Sequence, residues 1–231
     1  MTESPDTELL NSSQLRRISG QLGSNPAGVF EDQNGQRYYI KTLESPQHAS
    51  NEYLAACLYQ LCGAPVLTYV RTNNPCEVAT RWRHLDKTRI AHFSEDECLQ
   101  ARHWLAVHAW TANWDAAGLD GDNQGVANGI VLTLDVGGAL LFRASGDPKG
   151  KAFGETVPEF QRLQSDPDNP HAMKLFGDMP VAEQQSALQV VTRLNDSDIR
   201  RVILDGSERE TLAEKMIARK ADLQRQMDLL S

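Results

Sequence analysis

The chain has 231 residues, a formal net charge of −8, and 40% hydrophobic against 23% charged residues. That is an ordinary globular balance, with enough length for one large domain or two lobes around a real core. The acidic surplus argues against general binding to nucleic acid or anionic membranes, and no apolar run approaches the roughly 20 residues that span a bilayer.

Residues 1–12 are polar and acidic with few apolar positions. They predict a disordered leader and lack the features of a cleaved secretory signal. An uncleaved export signal would sit here if the protein were a bacterial effector delivered into a host. Cys57, Cys62, Cys76 and Cys98 contain no Cys-x-x-Cys pair, which favours reduced thiols in a cytoplasmic protein.

A glycine-broken stretch follows, Gly20-Gln-Leu-Gly23-Ser24-Asn25-Pro26-Ala-Gly28. It reads as a surface turn or as a loop whose backbone closes on phosphate, since glycine permits positive φ and close approach. Asn34-Gly35 marks a hairpin turn into a strand over 37–43, which carries Lys41. Ser45-Pro46 opens a helix and Gly63-Ala-Pro65 stops it. Tyr53, Cys57, Leu58 and Leu61 form its apolar stripe. Beside that stripe Glu52, Ala55, Ala56 and Tyr59 make a small-residue face, which lets Glu52 approach the sheet and pair with Lys41.

Residues 64–70 and 77–82 predict two further strands around the turn at Thr72–Pro75, completing a small antiparallel sheet with one helix. The backbone near Thr80 is then the expected adenine contact of a nucleotide site. Residues 84–89 are a polar linker. Ser94-Glu-Asp-Glu97 is a capping box for a helix running from about Glu95 to Ala112. His103 and His108 in it are five apart, the wrong interval for a two-histidine metal face, so they read as core or surface histidines.

The centre of the chain reads Asn113-Trp114-Asp115, then Gly118-Leu-Asp120-Gly-Asp122-Asn123, then an apolar run ending in Asp135-Val136-Gly137-Gly138. A carboxylate placed in such a run costs several kcal/mol unless it is paired or holds a metal. A calcium loop starting at Asp120 fails, because the twelfth position would be Val131 where an EF-hand needs Glu. Gly146 to Lys151 predicts a solvated or mobile loop. The remainder is helical and amphipathic, with segments at 180–191, 197–204 and 208–230 and a short helix starting near Asn169-Pro170-His171. Arg200-Arg201 and the basic residues from Lys215 to Arg225 read as solvated helix faces.

The order glycine loop, strand lysine, helix glutamate, then Asp…Asn…Asp resembles the protein-kinase-like superfamily. There is no His-Arg-Asp and no Asp-Phe-Gly, so the resemblance is to the atypical branch that includes the HipA toxin kinases and the phosphatidylinositol 3/4-kinases. It rests on Asn113-x-Asp115, Asp122-Asn123 and Asp135-x-Gly137 and spans roughly residues 20–145. It implies an α+β, bilobal protein-kinase-like fold: an N-lobe over 13–83 with an antiparallel sheet and one helix, and a mainly helical C-lobe over 84–231.

The resemblance also implies roles. Gly23, Ser24, Asn25 and Gly28 would cover the phosphates of ATP, Lys41 would hold them and pair with Glu52, Asp115 would be the base, and Asn123 and Asp135 would bind Mg²⁺. The implied activity is ATP- and Mg²⁺-dependent phosphoryl transfer to a protein Ser/Thr or Tyr hydroxyl. Alternatives are a pseudokinase scaffold, AMP transfer, or a lipid or small-molecule acceptor. One departure stands out. Base and metal Asn lie about five apart in such enzymes, whereas Asp115 to Asn123 is eight (123 − 115). An insertion of Gly118-Leu-Asp120, or Asp120 or Asp122 as the base, would each account for it.

Overall fold

Alternating side chains build the N-terminal sheet in this computed structural model, which describes residues 9–20, 26–207 and 209–230. The strands are β1 (Arg16–Ser19), β2 (Ala27–Glu31), β3 (Arg37–Thr42), β4 (Tyr69–Val70) and β5 (Glu77–Arg81). They pair antiparallel in the order β1-β2-β3-β5-β4. Tyr38 and Ile40 turn to the outer face, where they pack with Ala79, while Tyr39 and Lys41 turn inward. Asp32 closes the β2–β3 turn, its carboxylate accepting from the Asn34 and Gln36 amides at 2.9 and 2.8 Å, with Gly35 at φ 79°.

Helix α1 (Pro46–Leu61) starts at Ser45, whose hydroxyl accepts from the His48 amide, and stops before Gly63 at φ 75°. It is buried on several sides. Against α7 (Asp196–Ser207) the approach is so close that a Cβ at Gly206 would stand 3.0 Å from a Leu54 methyl.

The helical part contains α2 (Glu95–His103), α3 (Leu105–Trp110), the hairpin β6 (Gln124–Ala127) and β7 (Ile130–Thr133), α4 (Glu159–Ser165), α5 (Pro170–Phe176), α6 (Val181–Thr192), α7 and α8 (Glu210–Leu229). One apolar core runs from α1 through all of these helices. Among the described residues no helix is long and apolar enough to cross a membrane.

Several expectations change. The strand over 64–70 shrinks to Tyr69–Val70, because its first half is spent on the other part of the molecule: the Thr133 amide donates to Pro65 at 2.9 Å and the Leu67 amide to Thr133 at 3.3 Å. The helix over 95–112 breaks at Trp104 (φ −96°, ψ 4°), separating a half-exposed α2, with its capping box intact, from a fully buried α3. Residues 9–12 of the expected leader lie against the turn after β4, with the Leu10 amide on Arg71 at 2.9 Å and the Asn73 amide on Leu10 at 3.0 Å; residues 1–8 lie outside the described residues. Arg219, expected on a solvated face, is fully buried. It donates to the carbonyls of Trp110, Ala109, Gly154 and Thr156 and pairs with Glu159 at 3.0 Å.

Candidate active site

The site is assembled from stretches far apart in the chain. β3 supplies Lys41 and α1 supplies Glu52. The segment after β7 supplies Asp135. The loop between α3 and β6 supplies Asp115 and Asn123. All five line one cleft of about 280 Å³ between the sheet and the helical part.

Lys41 is the hub. Its ammonium donates to Glu52 at 3.0 Å and to Asp135 at 2.8 Å. Side-chain exposure falls to 13% at Lys41 and 3% at Glu52, against 40% at Asp135, so the pair with Glu52 is internal while Asp135 faces the cleft. Tyr69 adds a hydroxyl donor to Glu52 at 3.1 Å. Burial would lower the Lys41 pKa, but the two carboxylates outweigh it and hold the ammonium above its usual value. Burial pushes the Glu52 carboxyl up, with Lys41 opposing. Burial also pushes Asp135 up, yet the Lys41 charge and the Gly137 amide, which donates to it at 2.8 Å, bring it below the usual carboxylate range.

Gly137 has a steric reason. A Cβ there would stand 2.9 Å from a Glu52 oxygen and 3.1 Å from an Asp135 oxygen. The glycine therefore lets the Asp135 segment pass against the buried ion pair.

Asp115 and Asn123 are joined directly. The Asn123 amide nitrogen donates to the Asp115 carbonyl at 2.7 Å and to its carboxylate at 3.0 Å. Both partners only accept, so the nitrogen of Asn123 is fixed toward Asp115 and its oxygen turns the other way. Burial raises the Asp115 pKa to about 6, the Asn123 bond opposing and the Asp135 and Asp122 charges adding to it. The residues between them bulge outward: Gly118 (φ 83°) and Gly121 (φ 71°) bracket Leu119 and Asp120, and Leu119 is 89% exposed. A Cβ on Gly118 would meet an Asp122 oxygen at 2.5 Å and the Asn123 amide at 2.8 Å. The eight-residue spacing thus leaves Asp115 and Asn123 in contact. Asp120 and Asp122 line the same cleft.

Of the other residues singled out from sequence, Gly23, Ser24 and Asn25 lie outside the described residues. Gly28 sits inside β2 opposite Ile40, and a Cβ on it would meet Arg17 and Phe30 on the outer side of the sheet. Its missing side chain makes room there and not over the cleft. Thr80 is buried between Tyr39 of β3 and Tyr69 of β4 and is not among the cleft-lining residues. Asn113 points inward, donating to the Tyr59 hydroxyl at 3.1 Å, and that hydroxyl lies 2.8 Å from His108. His108 is therefore a core histidine, its pKa pushed down to about 3 by burial.

Sequence reasoning passed over Asn51 and His48 on α1. Asn51 donates to the Ala139 carbonyl at 2.9 Å and accepts from the Leu141 amide at 3.1 Å, while His48 bonds Gly146 at 2.8 Å. These bonds tie the helix carrying Glu52 to the segment after Asp135. Nothing in the periodicity marks them, because a buried amide on a helix looks like a surface amide until its partner is known.

The cleft is lined by six acidic side chains, Glu44, Glu52, Asp115, Asp120, Asp122 and Asp135, against two basic ones, Lys41 and Arg143. Such a surface repels a bare polyphosphate and suits one that arrives with a divalent cation. Among the described residues no three His, Cys, Asp or Glu side chains converge as a self-sufficient metal cage. The donors that fit Mg²⁺ are the Asp135 carboxylate and the Asn123 amide oxygen, two hard ligands that leave positions for phosphate and water.

No family model matches the chain, and no curated protein matches it. Solved structures do. The Helicobacter pylori proinflammatory kinase CtkA superposes with a TM-score of 0.58 at 14% identity, covering 94% of each chain. The macrolide 2'-phosphotransferase MphH from Brachybacterium faecium gives 0.37 at 13% identity, over 91% of this chain and 92% of that one. An aminoglycoside phosphotransferase from Alicyclobacillus acidocaldarius gives 0.39 at 13%, over 94% and 95%. At such identities the likeness concerns architecture. This chain has a kinase-like α+β fold, with an antiparallel N-terminal sheet carrying one helix and a helical C-terminal part.

Proposed function

We propose that this protein is an ATP- and Mg²⁺-dependent phosphotransferase of the atypical kinase type, acting as a protein kinase on a Ser/Thr or Tyr hydroxyl. The observation that carries it is the convergence on Lys41: one buried ammonium within 3.0 Å of the Glu52 carboxylate and 2.8 Å of Asp135, in a cleft that also holds Asp115 and Asn123. Phosphoryl transfer needs little covalent chemistry from the protein. It needs a fixed cation on the phosphates, a metal-holding carboxylate and amide, and a base beside the acceptor.

Lys41, held by Glu52, is the cation for the nucleotide phosphates. Asn123 and Asp135 would hold Mg²⁺, which when bound neutralises charge on the phosphate oxygens. Asp115 orients the acceptor hydroxyl and takes its proton. Its pKa of about 6 leaves it ionised near neutrality yet more basic than an ordinary aspartate. Beyond Asp115 opens a second hollow of about 380 Å³, reaching Trp114, Arg143, Ser145 and His171, which is a place for the acceptor. Leu119, 89% exposed at its rim, offers an apolar contact to a macromolecular acceptor. The name of the Helicobacter neighbour, a kinase, agrees with this reading. Contact between Asp115 and Asn123 despite the longer spacing speaks for a working site over a pseudokinase scaffold.

The test is Mg²⁺-dependent transfer of label from γ-labelled ATP to the protein itself or to a lysate, with α-labelled ATP run beside it. Label from the γ position that disappears in Asp135→Ala is expected. Label from the α position only would make the enzyme an AMP transferase, and undiminished transfer by Asp135→Ala would overturn the assignment.

A further inference from the structure

Lys149 lies in the stretch whose sequence suggests a solvated glycine-lysine loop. Its side chain is instead buried, and its ammonium donates to three backbone carbonyls: Ala112 at 2.8 Å, Gly138 at 2.6 Å and Leu140 at 3.1 Å. Ala112 stands three residues before Asp115. Gly138 and Leu140 stand three and five residues after Asp135. A carbonyl can only accept, and a neutral amine has two N–H groups for three acceptors, so this bonding set calls for the ammonium.

Two of the three carbonyls belong to strained residues. Ala112 (φ 52°) and Leu140 (φ 56°) are fully buried L-residues held in the left-handed region. The Leu140 amide also donates to Thr111 at 2.6 Å, so the two strained turns touch. The indole of Trp114, next to Asp115, lies 5.0 Å from the ammonium. Burial pushes the Lys149 pKa down to about 7, with Glu159 opposing and the Arg219 and Arg143 guanidiniums adding to the drop. Lys149 does not line the cleft.

We propose that Lys149 is a positioning residue that clips the base-bearing turn at Ala112 to the turn after Asp135, and so sets Asp115 against the metal-holding groups without touching nucleotide. This rests on the phosphotransferase reading for its kinetic consequence, though not for its structural one.

Three variants test it: Lys149→Met, Lys149→Gln, and Lys149→Met combined with Ala112→Gly, since glycine adopts positive φ without strain. Lys149→Met is expected to lower kcat by on the order of 100-fold, with KM for ATP within about threefold of wild type. It should also speed hydrogen exchange at the Leu140 and Asn113 amides together. Adding Ala112→Gly should restore about tenfold of the lost kcat and slow that exchange again. Lys149→Gln, with two N–H donors, should fall between Met and wild type. A loss of less than about threefold in kcat, a KM that rises in step, or no rescue by Ala112→Gly overturns the proposal, as does failure of both single variants to fold. If the wild type transfers no phosphoryl group, the functional reading fails, and the exchange pattern alone decides this inference.

Discussion

If Asp115 is the base, as proposed, stability and function pull in opposite directions there. Its folded pKa, about 6, lies above the ordinary carboxylate value, so the folded state holds that proton more tightly than the unfolded chain does. Stability from this group is therefore present at low pH, is lost as pH rises from about 4 to about 6, and stays lost above. Asp115→Asn should raise stability at pH 7 by on the order of 1 kcal/mol, the part-exposed carboxylate being screened by solvent, leave it unchanged at pH 3.5, and lower kcat by on the order of 10²–10⁴. Urea unfolding at the two pH values checks the first part, and a variant no more stable than wild type at pH 7 contradicts it. In the wild type kcat should rise with pH through about 6, as the base ionises.

Lys41 works in the other direction. Removing it leaves Glu52 buried and unpaired, which costs about 3–5 kcal/mol. Lys41→Met should thus lose both transfer and stability, whereas Lys41→Met with Glu52→Gln should recover stability and stay inactive. Equal melting temperatures for the single and double variants would contradict an internal Lys41–Glu52 pair.

Among the elements, α1 differs from a helix free to swing. Sheet, α7 and the segment after Asp135 enclose it, and Asn51 binds that segment through both ends of its amide. The Lys41–Glu52 pair is thereby fixed by packing on several sides. Gly137 is the narrow point of this arrangement, since a methyl there would press on Glu52 at 2.9 Å. Gly137→Ala should cost on the order of 10²-fold in kcat/KM through displacement of the pair, with Mg-ATP stabilising the protein less in a thermal-shift titration. Gly118→Ala meets both a positive φ and a 2.5 Å contact with Asp122, so it should separate Asp115 from Asn123. Wild-type kcat in the Gly118→Ala variant would show that the bulge has no part in setting the base.

Over the whole molecule, the C-terminal helix reaches back to the site. Arg219 of α8 pairs with Glu159 of α4, and Glu159 accepts from the Trp114 indole at 3.1 Å, one residue from Asp115. Arg219→Met leaves Glu159 buried without its cation and strips the hydrogen bonds to four carbonyls. It should destabilise by about 3–5 kcal/mol and lower activity in step with unfolding. His108 contributes to acid sensitivity. Its folded pKa of about 3 lies below the ordinary histidine value, so its contribution is present above about pH 6.5 and is lost as pH falls toward 3. His108→Gln should flatten acid unfolding in that window, and an unchanged acid midpoint would contradict the role given to its burial.

The local pieces could be read from residue order alone, because their signals are local: Asn34-Gly35 for the turn, Ser45-Pro46 and Gly63 for the ends of α1, and Ser94 and Glu97 for the cap of α2; the inward face of Lys41 was expected only once Glu52 on the following helix was set beside it. The motif around Asn113, Asp115, Asn123 and Asp135 was legible as a set of residue types in order. Which polar atoms become buried, and with whom, was settled only when distant segments packed together. Lys149 and Arg219 look like solvated cations in sequence because a charge at a given spacing carries no mark of its burial; only the carbonyls and carboxylate brought around them by other parts of the chain make burial possible. Gly28 likewise fits a phosphate loop by type, yet its place opposite Ile40 in β2 turns it to the outer face. The eight-residue step from Asp115 to Asn123 was ambiguous for the same reason: a chain count does not say whether the residues between lie in the path or bulge out of it, and here Gly118 and Gly121 turn them outward.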